Sequence, residues 1–257
     1  MAVELVLMLL IFAIQWLAFL PACYYKTERF YDLTGGLTYT VVILAALILT
    51  HQLSGTSHWR SALLALLVVV WSLRLGLFLF LRIRAAGSDS RFEKIKVAPM
   101  RFFIAWTLQA VWITFTLSAA VLAITSAQAA EFGFISMLGL VLWVAGFSIE
   151  LVADEQKSRF RKNPANANNF ISNGLWSFCR HPNYTGEIML WLGVAFIAFP
   201  VLEGWRYLAL LSPVFVALLL IKGSGIPLLE RAAEAKWGDS AAYQHYKATT
   251  PRLFPGY

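Results

Sequence analysis

The residues whose types and spacing suit chemistry crowd between positions 150 and 187. Glu150, Asp154, Lys157 and Arg161 follow an i, i+4, i+7, i+11 spacing, so on one continuous helix they share a face. Two acids followed by two bases make a polar stripe. Such groups are costly in lipid and are expected to face a cavity or one another. Arg180-His181-Pro182-Asn183-Tyr184 comes next. Pro182 breaks or starts a helix, and Asn183 and Glu187 then fall four apart on one face of its first turns. Helix N-termini favour anions, and Arg180 and His181 add donors and positive charge. A phosphate or carboxylate is the expected guest.

Three features stand out earlier in the chain. Asp32 follows Tyr31 at the opening of an apolar run, Arg74 lies inside another next to Trp71-Ser-Leu, and Gly87-Ser88-Asp89-Ser90-Arg91-Phe92 is a polar turn. An intramembrane Arg needs a partner. Asp32 lies at a similar depth, and we expect the two to approach. Asp32 equally suits a helix N-cap, and Arg74 a structural ion pair. The C-terminal residues 226–257 are polar and read as helical, with Glu230, Arg231, Glu234 and Lys236 among Leu228, Leu229 and Trp237. They either lie on the membrane surface or cover the polar site. Several motifs are absent: no Gly-x-Gly-x-x-Gly, no P-loop, no Gly-x-Ser-x-Gly and no His/Cys metal spacing. No metal site is expected.

The elements that must position these residues follow from composition. The chain has 257 residues, 59% hydrophobic and 14% charged, with a mean hydropathy of +0.66. A soluble domain is about 45–50% apolar and about 25% charged. Soluble, disordered and disulfide-stapled classes are excluded, and an all-α polytopic membrane protein remains. Apolar runs at 3–23, 37–54, 61–81, 102–127, 133–153, 186–202 and 205–222 each suit a spanning helix of roughly 20 residues. The first lacks a basic flank and a cleavage site, and is read as a retained helix. Only Arg60, Arg74 and Arg206, of the 21 Lys and Arg, lie outside the first, third and fifth connections and the tail. The positive-inside rule then puts the N-terminus outside and the C-terminus in the cytoplasm. The net charge of +7 reads as this topology signal facing anionic lipid, not as nucleic-acid binding. Cys23 and Cys179 are expected to be free thiols. We read residues 1–257 as a single membrane domain, with helices 1–4 (1–130) shaping a lipophilic cavity. Helices 5–7, their loops and the tail (131–257) would hold a cofactor.

The run Gly174-Leu-Trp-x-x-x-Arg180-His181-Pro182-Asn183-Tyr184-x-Gly186-Glu187, preceded by Glu150-x-x-x-Asp154-x-Gln156-Lys157, resembles the steroid 5α-reductase superfamily. Within that superfamily it is most similar to a large family of membrane proteins annotated by a domain of unknown function. The likeness is specific over about 145–257. Over 65–95, Trp71-x-x-Arg74-Leu and Gly-x-Asp89-x-Arg91-Phe92 carry a fainter likeness. The resemblance implies seven helices, with NADPH held by the last helices and cytoplasmic loops. Its Asn-x-x-x-Asp-x-x-x-x-x-x-Arg pattern falls on Glu150, Asp154 and Arg161, with Glu in place of Asn. Its Asn-x-x-x-Glu pattern falls on Asn183 and Glu187. By the same likeness Arg180, His181, Tyr184 and Tyr246 are further cofactor candidates, beside Lys157 on the stripe. Basic groups would pair with phosphates, while Asn and the acids would hold ribose and carboxamide groups.

Two departures bear on the substrate. Where the steroid reductases carry Gln-Glu-Leu-Pro, this chain has Tyr31-Asp32-Leu33-Thr34, and where they carry a Tyr three residues before an Arg it has Trp71 before Arg74. The expected chemistry is NADPH-dependent reduction of a carbon–carbon double bond in a steroid-like, isoprenoid or lipid substrate. Asp32 is the expected proton donor, with Tyr31 or Tyr39 as substitutes, and Arg74 completes the expected catalytic set. A carboxyl donor would need burial to raise its pKa. Isoprenylcysteine and phospholipid methyltransferases share an Arg-His-Pro-x-Tyr-x-Gly segment, so S-adenosylmethionine is the alternative cofactor. A non-catalytic lipid-binding scaffold is the third reading. Membrane lipids are the expected partners, in the bacterial inner membrane or, alternatively, the endoplasmic reticulum.

Overall fold

In the computed structural model the residues described are 2–55, 58–254 and 256. Among them all regular structure is helical. The α-helices are α1 (Ala2–Tyr24), α2 (Tyr31–Ser54), α3 (Trp59–Ala86), α4 (Pro99–Ile124), α5 (Phe134–Lys162), α6 (Pro182–Ala198), α7 (Ser212–Lys222), α8 (Ile226–Trp237) and α9 (Ala241–Thr249). Among the described residues seven stretches are long and apolar enough to cross a membrane. Prolines set several starts: Pro99, Pro182 and Pro213 stand in first turns, where the missing N–H costs nothing. The seventh span departs from one regular helix. Gly204–Leu211 is a 3₁₀ run and α7 follows, because the Pro213 ring excludes an α-helical bond back to residue 209. Run and helix together cover about 30 Å, enough for a bilayer core.

The chain divides into two compact units, Met1–Phe132 with Ile197–Leu210, and Gly133–Phe196 with Leu211–Tyr257. In the first, α2 packs on α3 and α1 on α4. Large apolar side chains such as Leu17, Leu108 and Leu208 stay exposed, as a lipid solvent permits. Helix contacts without a hydrophobic drive need close packing and polar bonds, and both occur. A Cβ on Gly36 would lie 2.7 Å from the Ser72 carbonyl oxygen. The buried Gln15 amide donates to Thr38 at 2.9 Å.

The two connecting-loop arginines that break the charge asymmetry are tied to backbone. Arg60 is 2% exposed and donates to the carbonyls of Ile197, Ala130 and Glu131 at 3.0–3.1 Å. Arg206 donates to the Leu122 carbonyl and to Glu4, both at 2.8 Å. Each cation satisfies a carbonyl in the last turn of a helix, Ile197 of α6 or Leu122 of α4, and Arg60 also satisfies two loop carbonyls.

In the second unit α5 and α6 touch along glycines. A Cβ on Gly146 would meet the Gly186 carbonyl oxygen at 2.5 Å, and one on Gly193 would meet that of Gly139 at 2.5 Å. The seven-residue spacing, 139 to 146 and 186 to 193, keeps both contacts on one seam.

Candidate functional site

In the first unit the 3–4 connection is stapled to the start of α2. Arg91 donates to both carboxylate oxygens of Asp89 and reaches Asp32 at 3.3 Å. Lys96 pairs with buried Glu28 at 2.8 Å, and Glu28 also accepts the Asp89 backbone N–H at 3.0 Å. Burial works against the Glu28 and Asp89 charges. The bonds from Lys96 and Arg91 outweigh it and hold both carboxyls below their ordinary range. Asp32 therefore pairs with Arg91, not with Arg74 as shared depth suggested. The difference arises from the Asp89-to-Phe92 turn folding back, which no helical periodicity encodes. Tyr31 is packed between Phe92 and Trp106, and its hydroxyl donates to the Ala105 carbonyl at 2.8 Å. The Arg74 guanidinium lies 5.9 Å from the Phe78 ring centre.

The second unit assembles most of the other candidates. Glu150 and Asp154 are 3% and 8% exposed on α5. The glycine seam sets Glu150 beside α6, since a Cβ on Gly186 would lie 3.1 Å from its Cβ. Asn183 and Glu187 flank that contact on α6. Trp176, buried, ties two candidates, Tyr246 and Lys157, to the α5 backbone. Its indole N–H donates to the Ala153 carbonyl at 3.1 Å, its carbonyl accepts the Tyr246 hydroxyl at 2.6 Å, and Lys157 Nζ stands 4.3 Å from its ring centre. Burial pushes the Tyr246 hydroxyl pKa up. Gln156 accepts the Leu175 N–H at 2.9 Å and lies under Gly174. That glycine has φ +61°, and a Cβ there would fall 2.6 Å from the Gln156 amide. The Gly-Leu-Trp turn thus requires glycine on both counts.

The Arg180–Thr185 segment is held by the tail. The N–H groups of Arg180 and His181 donate to the carbonyls of Pro251 and Arg252 at 2.8 and 3.0 Å, and the Phe254 N–H reaches Thr185 at 3.3 Å. Glu230 on α8 gathers Arg180 at 2.7 Å and His181 and Arg252 at 3.4 Å. The Arg180 contact is a charge contact out of line for donation: its buried Nε and Nη1 have no hydrogen-bond acceptor, nor has Nδ1 of His181. The His181 ring stacks on Tyr184 at 5.7 Å. Burial, only partly opposed by Glu230, lowers the imidazole pKa and keeps the ring neutral. Farther along, Trp237 and Lys236 donate to the Asn168 and Ala167 carbonyls at 2.7 and 3.0 Å, and Phe170 stacks on Tyr246. The polar tail therefore covers the 165–185 segment.

Glu150, Asp154, Lys157, Arg180, His181, Asn183, Tyr184, Glu187 and Tyr246 thus sit on elements that these contacts join. Arg161 lies exposed near the end of α5. Sequence reasoning missed the glycine seam, the Trp176 bridge, and Glu230 as the carboxylate shared by Arg180 and Arg252. A seven-residue glycine spacing on two neighbouring spans was the available signal for the first. Nothing in the local pattern marks Arg252.

A protein-family model described as "Protein of unknown function (DUF1295)" matches residues 18–250.

Proposed function

The chain belongs to the DUF1295 family, and from the chemistry of its second unit we propose a membrane reductase. It would use NADPH to saturate a carbon–carbon double bond in a lipophilic substrate. The observation that carries this reading is the pair of buried carboxylates, Glu150 and Asp154, set by the Gly146–Gly186 contact beside the helix bearing Asn183 and Glu187. Acids buried in apolar helices are costly and mark a polar functional site by default.

The residues present fit such a guest. Glu150, Asp154, Asn183 and Glu187 suit ribose hydroxyls and a carboxamide. Lys157, Arg161 and Arg180 suit phosphates, and the donors of Arg180 that lack acceptors support that assignment. His181 is neutral, with an imidazole nitrogen still to be satisfied. Tyr246 offers its ring, because its hydroxyl is committed to Trp176. When bound, NADPH supplies a hydride equivalent to one alkene carbon, and an acid protonates the other. Of Asp32, Tyr31 and Arg74, Asp32 is our candidate for that acid: Tyr31 spends its hydroxyl on Ala105, and Asp32 would donate in its protonated form, released from the Arg91 contact. The Lys/Arg distribution supports an outside N-terminus and a cytoplasmic C-terminus, and the short loops favour the bacterial inner membrane.

The test is a thermal-shift comparison of NADPH, NADH and S-adenosylmethionine on detergent-purified protein. A selective NADPH shift is expected, lost in Asp154→Ala and Glu187→Ala. A shift with S-adenosylmethionine alone would replace the reductase by a methyltransferase. No shift from a folded protein would favour a non-catalytic scaffold.

A further inference from the structure

A cavity of about 540 Å³ opens beside the tail, lined by Arg180, Lys247 and Arg252 with Thr249 and Thr250. No acid lines it. Two carboxylates stand behind: Glu230 contacts Arg180 and Arg252, and Glu234 pairs with Lys247 at 2.7 Å. Three cations against two acids leave a positive surplus at the cavity wall. Arg180 is the decisive member. Its side chain is only 11% exposed; its Nη1 is already in ion contact with Glu230 at 2.7 Å, and its buried Nε has no hydrogen-bond acceptor. A buried guanidinium strongly prefers filled, paired donors. The cavity is also pre-organised, because the backbone bonds from Arg180 and His181 to Pro251 and Arg252 fix two of the three cations relative to each other. A tetrahedral oxyanion accepts from several donors at once and suits Arg above all.

We infer that this cavity binds a phosphate group, with Arg180, Lys247 and Arg252 as its donors. Arg180 is shared with the proposed cofactor group, so this inference rests in part on that reading; Lys247 and Arg252 do not follow from the stripe on α5. S-adenosylmethionine carries no phosphate, so a phosphate response also separates the reductase from the methyltransferase. Two sources share the chemistry. One is a soluble nucleotide phosphate. The other is the headgroup of an anionic lipid, which the exposed rings of Phe178 and Phe254, each two residues from a cavity arginine, would accompany into the interface.

The experiment follows thermal unfolding and binding of the full chain in neutral detergent, with two pairs of probes. One pair is adenosine 2′,5′-bisphosphate against adenosine, and the other is phosphatidylglycerol against phosphatidylcholine in mixed micelles. Wild type is compared with Lys247→Gln/Arg252→Gln, whose side chains are partly exposed, and with Lys247→Arg. The expected result is saturable stabilisation by the phosphate-bearing member of one pair. Its affinity falls at least about tenfold in the double Gln variant and is retained in Lys247→Arg. A response to the bisphosphate assigns the site to a nucleotide, and one to phosphatidylglycerol assigns it to a lipid headgroup. No charge-dependent response from either pair, or an equal response in the double variant, overturns the phosphate site.

Discussion

Gly146 of α5 and Gly186 of α6 meet backbone to backbone: a Cβ on either would stand 2.5 Å from the other's carbonyl oxygen. The same approach puts Gly186 2.7 Å, by that measure, from the Glu150 amide nitrogen. The contact therefore sets the distance between the acids of α5 and the Asn183/Glu187 face of α6.

Gly186→Ala is expected to push the two helices apart. Overpacking of this kind costs about 1–3 kcal/mol. For a chain of this size each kcal/mol lowers Tm by about 2–4 °C. Thermal denaturation in detergent reads this directly. Gly133→Ala is the control, since its Cβ meets nothing within 4 Å, and it is expected to change Tm by less than about 2 °C. Equal midpoints for the two variants would remove the seam from the account.

The staple around Glu28 predicts an acid limb of stability. Its carboxyl and that of Asp89 are held below the ordinary values of 4.5 and 3.8. A carboxyl lowered by folding stabilises at pH above its unfolded value and loses that contribution as pH falls through the folded one. Tm is therefore expected to fall as pH drops below about 4.5. Lys96→Gln removes the main partner of Glu28, so its Tm should be lower at pH 7 and should fall less steeply in acid. Parallel profiles for the two proteins would exclude the staple as the source.

His181 acts with the same sign in a higher pH window. Burial places its folded pKa below the ordinary 6.5, so between the two values the unfolded chain binds the proton and the folded chain does not. Stability is full above about pH 6.5 and declines as pH falls below it. His181→Asn is expected to flatten the Tm profile between about pH 7 and pH 5, a window separate from the carboxylate limb. An unchanged slope would mean that the imidazole titrates alike in the folded and unfolded chains.

Tyr246→Phe separates two roles for one residue. The hydroxyl donates to the Trp176 carbonyl at 2.6 Å, so its loss should lower stability by about 0.5–1.5 kcal/mol. NADPH affinity should change less than about threefold, because the ring remains. A large loss of affinity with unchanged Tm would show the hydroxyl meeting the cofactor instead.

Much of this arrangement was legible in the residues. The apolar runs located seven spans, and the spacing of Glu150, Asp154 and Lys157 gave their shared face before α5 was seen to continue to Lys162. What the residues hid depends on partners distant in the chain. A glycine seam has no side chain to announce it until the second helix is in place. Glu230 reads as one more polar residue on an amphipathic helix until Arg180, His181 and Arg252 are brought to it. Asp32 found Arg91, 59 positions away, through a turn whose path periodicity cannot give. The 3₁₀ opening of the last span was likewise not read from the sequence, which suited one helix over 205–222, although Pro213 was the available signal.

The most direct measurement of the central claim is equilibrium NADPH binding to the purified chain, read by energy transfer from tryptophan to the reduced nicotinamide. The account predicts saturable binding that weakens at least about tenfold in Asp154→Ala and in Glu187→Ala, while Asp32→Asn leaves it unchanged. Binding of equal strength in all three variants, or none to a folded wild-type protein, would contradict it.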